Sequence, residues 1–141
     1  MTTFKNIKET DYQNSSKWEK ILKKDIETYF NTNLIETNRY DIFDYISEDN
    51  NIYIELKTRT CRSNTYPDLM MGNNKIKFAD ELLKESKQIY FVFKFIDGLY
   101  YLQYNSVNDY TMRGGGRKDR GVNEWKKNYV YFPVKKLIKI N

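Results

Sequence analysis

Two carboxylates and an ammonium group can meet within the segment Arg39 to Arg59, RYDIFDYISEDNNIYIELKTR. It reads as two strands around a polar turn. Residues alternate from Tyr40 to Ile46 and from Ile52 to Thr58, and Glu48-Asp49-Asn50-Asn51 supplies turn chemistry between them. With an even number of loop residues, either Ser47 pairs with Ile52 or Glu48 pairs with Asn51. Both choices give one register, in which Asp44 lies directly opposite Glu55. Opposed side chains on one face sit about 5 Å apart, and Lys57 follows two residues along the same face. An odd loop or a β-bulge would bring round the face of Asp41 and Phe43 instead. Asp44 is preferred on register, and Asp41 is the alternative.

Two carboxylates this close repel by about 3 kcal/mol at an effective dielectric of about 20, and opposed like charges destabilise a hairpin. A divalent cation between them reverses the sign. A few hard carboxylate oxygens with water completing an octahedron are what magnesium prefers. The plain alternative is that Glu55 and Lys57 are ordinary solvent-face residues of a sheet, because E-x-K occurs in many strands by chance.

Composition narrows the chemistry. The 141 residues suit one domain with one core, expected to span 1–141. Hydrophobic residues make up 40% and aromatic residues 16%, enough to bury a core despite a mean hydropathy of -0.81. No apolar run approaches a membrane span, and the polar N-terminus lacks the apolar region of a signal peptide. With a single cysteine, Cys61, no internal disulfide can form, so an intracellular setting is expected, cytoplasmic or nuclear. A net charge of +5 and a pI near 9.1 favour a polyanionic partner. The chain has no histidine. That removes Ser-His-Asp and Cys-His catalysis, histidine-metal nucleases and most zinc sites. Chemistry here rests on Asp, Glu, Lys and Tyr, the toolkit of a magnesium-dependent phosphodiesterase.

The elements that must position these groups follow from periodicity. Ser15 to Phe30 reads as an amphipathic helix with Trp18, Ile21, Leu22, Ile26, Tyr29 and Phe30 on one face, and Ser16 with Glu19 forms a capping-box pattern. Leu34 to Thr37 is a possible extra strand. After the hairpin, Thr60 to Gly72 reads as a loop carrying Arg62, Tyr66 and Pro67. Asn73 or Asn74 can cap a second helix running to about Ser86, with Ile76, Ala79, Leu82 and Leu83 at helical spacing. Lys75 and Lys77 fall in its first turn, against the helix dipole. A phosphate bound there would remove the conflict, and two solvated lysines are the plain alternative.

Ile89 to Ile96, IYFVFKFI, reads as a strand buried on both faces. Asp97-Gly98 is expected to turn the chain into Leu99 to Tyr104. The stretch Arg113 to Gly121, RGGGRKDRG, sets Arg113, Arg117, Lys118 and Arg120 around three glycines whose bare N–H groups can approach phosphate. It reads as a basic nucleic-acid-binding loop or a merely solvated one. Tyr129 to Val134 is a last short strand, given an edge position by Pro133, and the tail VKKLIKIN fits helix or strand. No repeat or linker marks a second domain.

Asp44 (or Asp41) followed by Glu55-Leu56-Lys57 resembles the PD-(D/E)XK nuclease signature of the restriction-endonuclease-like fold. Here no proline precedes either aspartate. The patterns YPDLMMGNNK and GRKDRG also resemble small nuclease-like proteins of phages and large DNA viruses. The resemblance covers roughly residues 15 to 104. It implies an α/β (α+β) fold, a mixed sheet flanked by helices with an αβββαβ core. It also implies metal-dependent hydrolysis of DNA. Asp44, Glu55 and the backbone carbonyl of Leu56 would hold Mg2+, with Mn2+ able to substitute, and Lys57 would orient or deprotonate the attacking water. Helical glutamates near the metal in relatives make Glu19, Glu27 and Glu36 further candidates. Arg59, Arg62, Lys75, Lys77, Arg113, Arg117, Lys118 and Arg120 would contact DNA, and a homodimer is compatible with the fold. The rival readings are an inactive nucleic-acid-binding module of the same fold, a structure-specific resolvase of the Holliday-junction type, and an interaction protein with an acidic partner.

Overall fold

The apolar run at 88–95 sits inside the main sheet of the computed structural model, which describes residues 19–38, 41–106, 110–114 and 128–141, with backbone alone at 111–114 and 128. The chain divides between residues 34 and 35 into two compact units. In the first, residues 19–30 form helix α1, with Leu22 and Ile26 buried. The helix stops at Asn31, whose φ of 51° is left-handed, a conformation asparagine tolerates. The Glu27 carboxylate accepts the Leu34 N–H at 2.8 Å just beyond. The capping-box pattern at Ser16 lies outside the described residues.

The main sheet has the order β1-β2-β3-β5-β6-β9, formed by β1 (Leu34–Glu36), β2 (Tyr45–Ser47), β3 (Ile52–Thr58), β5 (Gln88–Phe95), β6 (Gly98–Tyr104) and β9 (Ile138–Lys139). Strand β2 is much shorter than the alternation from Tyr40 predicts. The chain bends over 41–44, and the Thr37 hydroxyl donates to the carbonyls of Phe43 and Asp44 there. The two hydroxyl contacts and the Asp41-to-Asn38 backbone hydrogen bond hold this segment out of the ladder.

Strands β3 and β5 are parallel, in register from Ile52 opposite Gln88 to Thr58 opposite Lys94. A parallel pair needs a crossover. It contains α2 (Asn73–Lys84), preceded by β4 (Asp68–Gly72). The segment read as a loop up to Gly72 is therefore partly strand. Within β4, Leu69 and Met71 face the core and alternate with half-buried neighbours. It pairs with β8 (Asn128–Pro133), which pairs in turn with β7 (Thr111–Gly114), forming a second sheet of order β4-β8-β7. Pro133 thus ends the central strand of this sheet, not an edge. The position is tolerated because β7 reaches only Tyr131 along β8, so Pro133 pairs with Asp68 of β4 alone and no β7 partner is lost there. Arg113 and Gly114, read as the start of the basic loop, belong to β7.

α2 begins after Gly72 without a side-chain cap, so neither Asn73 nor Asn74 caps it. Its buried residues Ile76, Ala79 and Leu82 join a core built from both sheets. Phe91 lies at the centre of that core, stacked on Phe132 at 5.3 Å and on Phe43 at 6.2 Å, and tilted against Tyr104 at 5.6 Å. The buried Tyr104 hydroxyl donates to Asp80 at 2.6 Å, which satisfies its polar end.

The β5–β6 turn is Ile96-Asp97, one residue earlier than expected, because Gly98 already pairs with Phe95. A side chain at Gly98 would meet the Asn141 carbonyl at 2.8 Å, so the close approach of the C-terminus selects glycine. Asp97 accepts from the Ser63 hydroxyl at 2.6 Å and the Ser63 N–H at 2.8 Å, tying the 59–67 loop to this turn. These bonds, the hydroxyl's first, lower the Asp97 carboxyl from its ordinary 3.8 to about 2.

Two outcomes test this architecture. Phe91→Ala should cost about 3–5 kcal/mol in urea unfolding; a cost under about 1 kcal/mol contradicts a central role for that ring. The Asp97 carboxyl is depressed, so its contribution is complete above about 3.8 and is lost as pH falls through about 2. Asp97→Asn should therefore melt below wild type at pH 7, and the difference should close toward pH 2. A gap that stays constant with pH contradicts it.

Candidate active site

The hairpin β2–β3 fixes the candidate residues. Tyr45 pairs with Ile54 and Ile46 with Tyr53. The same register carried through the turn sets Ser47 opposite Ile52, and at the other end the pairing stops at Tyr45, because the Asp44 N–H donates to the carbonyl of Ile54, the residue Tyr45 already faces. The even four-residue loop is held by Asp49, which accepts from the Ser47 hydroxyl at 2.5 Å and the Asn51 N–H at 3.2 Å. The Ser47 hydroxyl in turn accepts the Ile52 N–H at 2.9 Å. Asn50, with a φ of 60°, makes the reversal. Those contacts, the Ser47 hydroxyl's above all, hold the Asp49 carboxyl below its ordinary range.

Just beyond β2, Asp44 keeps two bonds to β3. Its N–H donates to the Ile54 carbonyl at 3.0 Å, and its carboxylate Oδ2 accepts the Leu56 N–H at 2.8 Å. A residue in an antiparallel ladder turns its N–H and C=O to the same edge, so the Leu56 carbonyl also points to the Asp44 side. Asp41 is used differently. Its carboxylate accepts the Asn38 N–H at 2.7 Å and closes its own turn.

Glu55 is only 3% exposed, one of two buried polar residues among those described. Its Oε1 lies 3.3 Å from the Lys57 Nζ, and its Oε2 lies 2.7 Å from the Lys75 Nζ. The Lys75 ammonium also donates to the Ile42 carbonyl. Burial removes water from the Glu55 carboxylate and pushes its carboxyl above the ordinary range. Asp44 pushes the same way, and the Lys75 hydrogen bond with the two lysine charges opposes the rise.

The structure therefore gathers Asp44, Glu55, Lys57 and Lys75. Lys75 does not stand free at the start of α2, because its side chain turns inward and is 21% exposed. Nothing in the local sequence marks that direction, since a first-turn lysine reads equally well as solvated. Lys77 is exposed. The Arg59 guanidinium bonds the Thr58 carbonyl at 3.3 Å, and Arg62 is exposed with its N–H on the Thr65 hydroxyl. The Arg113 side chain and residues Arg117, Lys118 and Arg120 lie outside the described residues. Glu27 is occupied by the Leu34 N–H, and Glu19 and Glu36 are exposed.

No group of three or more His, Cys, Asp or Glu among the described residues is arranged to hold a metal ion. Two neighbouring carboxylates and one backbone carbonyl would still fit a hard cation that keeps most of its water, as magnesium does. The Lys75 ammonium shows that this patch attracts positive charge, since it is seated between a carboxylate and a carbonyl. No helix among the described residues is long and apolar enough to cross a membrane.

No curated protein and no solved structure matches the chain. The model of one family, described as "Phage putative PDDEXK endonuclease", matches residues 4–140. With nearly the whole length covered and a mixed sheet consistent with the restriction-endonuclease-like fold, the chain belongs to this phage PD-(D/E)XK endonuclease family.

Proposed function

We propose that the protein is a divalent-metal-dependent endonuclease that hydrolyses DNA phosphodiester bonds at Asp44, Glu55 and Lys57. The observation that carries this reading is the Asp44 carboxylate on the Leu56 N–H, beside a buried Glu55 whose Oε1 lies 3.3 Å from the Lys57 ammonium. The family match over residues 4–140 supports treating the chain as one nuclease domain.

Asp44, Glu55 and the Leu56 carbonyl would hold Mg2+, with Mn2+ able to substitute. When bound, such an ion acts as a Lewis acid toward a phosphoryl oxygen and acidifies water. Every other part falls to the chain. Glu55, fixed on an interior strand, sets the position of the scissile phosphate relative to Lys57. Lys57, on a flexible four-carbon stem, orients the attacking water, accepts its proton when neutral, and faces the negative charge that builds on the phosphoryl oxygens. Water oxygen bonds to phosphorus and the P–O3′ bond breaks. The products are a 5′-phosphate and a 3′-hydroxyl. Asp44 is preferred to Asp41 because its carboxylate bonds the β3 backbone beside Glu55, whereas that of Asp41 is committed to Asn38. Arg59, Arg62 and Lys77, with Arg113, Arg117, Lys118 and Arg120, are assigned to phosphate contacts along the DNA.

One observation favours a second reading, a non-catalytic nucleic-acid-binding module. Both Glu55 oxygens already hold ammonium groups. Cleavage in Mg2+ or Mn2+ separates the two, because a binding module keeps its DNA affinity in chelator and cuts nothing.

Plasmid, flap, four-way junction and single-stranded DNA, each incubated with Mg2+, Mn2+ and chelator, form the test. Cleavage is expected with either ion and none in chelator. Glu55→Gln and Lys57→Ala should each lower the rate by roughly 10²-fold or more while circular dichroism shows the fold retained. Folded variants that cut at the wild-type rate would refute the assignment. Asp44→Asn should lose cleavage and Asp41→Asn should keep most of it, and the reverse result transfers the role to Asp41.

A further inference from the structure

Lys75 is out of place for a surface lysine. It lies in the first turn of α2, where no acidic residue and no side-chain cap offset a cation at the positive end of the helix. Its ammonium is withdrawn from solvent and held by Glu55 Oε2 at 2.7 Å and by the Ile42 carbonyl. Asp44, Glu55, Lys57 and Lys75 together carry no net charge. The patch is thus already neutral before any dication arrives.

We propose that Lys75 is the built-in counter-cation of this site, occupying the Glu55 oxygen in the metal-free protein and leaving it when a divalent ion binds. This rests on the nuclease reading above. Magnesium–oxygen bonds are about 2.0–2.1 Å, so an ammonium nitrogen 2.7 Å from Oε2 takes the space an inner-sphere ion needs on that oxygen. Two cations on one oxygen repel each other. A lysine suits the role because its charge sits on a four-carbon stem with three rotatable donors, able to release one acceptor and find another. Lys57 bonds the other oxygen at the longer distance of 3.3 Å and runs along β3. Lys75 is therefore a positioning residue, setting how tightly the site loads and keeping the buried carboxylate paired until it does.

Calorimetric titration of Mn2+ into the DNA-free protein tests this without any reliance on turnover. Lys75→Met, which removes the competing charge, should bind Mn2+ at least about tenfold tighter than wild type, a change of about 1.4 kcal/mol. Lys77→Met removes the same formal charge from an exposed position two residues along and should change the affinity less than about twofold, because solvent and salt screen it. Should Lys75→Met fail to fold, Lys75→Gln replaces it, uncharged yet still able to donate to Glu55. An unchanged or weaker affinity at position 75, or an equal gain at position 77, overturns the proposal. When Glu55→Gln abolishes cleavage and position 75 leaves Mn2+ affinity unchanged, this inference alone fails. Absence of both Mn2+ binding and cleavage in every protein brings down the nuclease reading with it.

Discussion

A carboxylate buried in the middle of a sheet is the condition that the rest of the second unit must satisfy. Glu55 sits on β3 between a short antiparallel neighbour and a long parallel one, and almost none of it reaches water. Taking an ionised carboxylate out of water costs several kcal/mol, about 3–5 if its partner is then removed. Two lysines meet that demand from different directions. Lys57 comes from the same strand two residues on, and Lys75 comes from the helix that follows the crossover. The position of α2 is thus tied electrostatically to the hairpin that bears the chemistry.

Apolar packing makes this arrangement rigid. Phe91, opposite Glu55 in the parallel ladder, links the main sheet to β8 through Phe132 and to the bent segment at 41–44 through Phe43. The ring that anchors the core therefore also holds down the residue adjacent to Asp44. Directional bonds complete the frame. Thr37 bonds the carbonyls of Phe43 and Asp44, Asp49 fixes the loop, and Asp97 ties the 59–67 loop to the far hairpin. Each involves a short polar side chain closing a turn on the backbone or a neighbouring residue, the use for which Ser, Thr and Asp are suited.

The proposed exchange at Lys75 would give the site two states. With Lys75 on Glu55 the formal charges of the cluster balance; with a dication bound as proposed, the lysine would go elsewhere. A divalent ion recovers more from two neighbouring carboxylates than one ammonium does.

Local sequence determined much of this. Four polar residues between two alternating runs imply an even loop, and that alone sets Tyr45 opposite Ile54 and Ile46 opposite Tyr53, because register in a hairpin is fixed by loop length and alternation. The apolar run at β5 and the helical spacing of Ile76, Ala79 and Leu82 are equally local signals, as is the aspartate–glycine pair near the β5–β6 turn, although pairing moved that turn back one residue. What required the tertiary structure was every feature created by a distant partner. Residues 68–72 become a strand only because β8 lies beside them, and Pro133 ends a central strand only because β7 stops short of it. Lys75 turns inward because a carboxylate 20 positions earlier in the chain, buried by packing it takes no part in, has no water to pair with. Strand pairing and burial are non-local, and a side chain's direction follows from them rather than from its own neighbours in sequence.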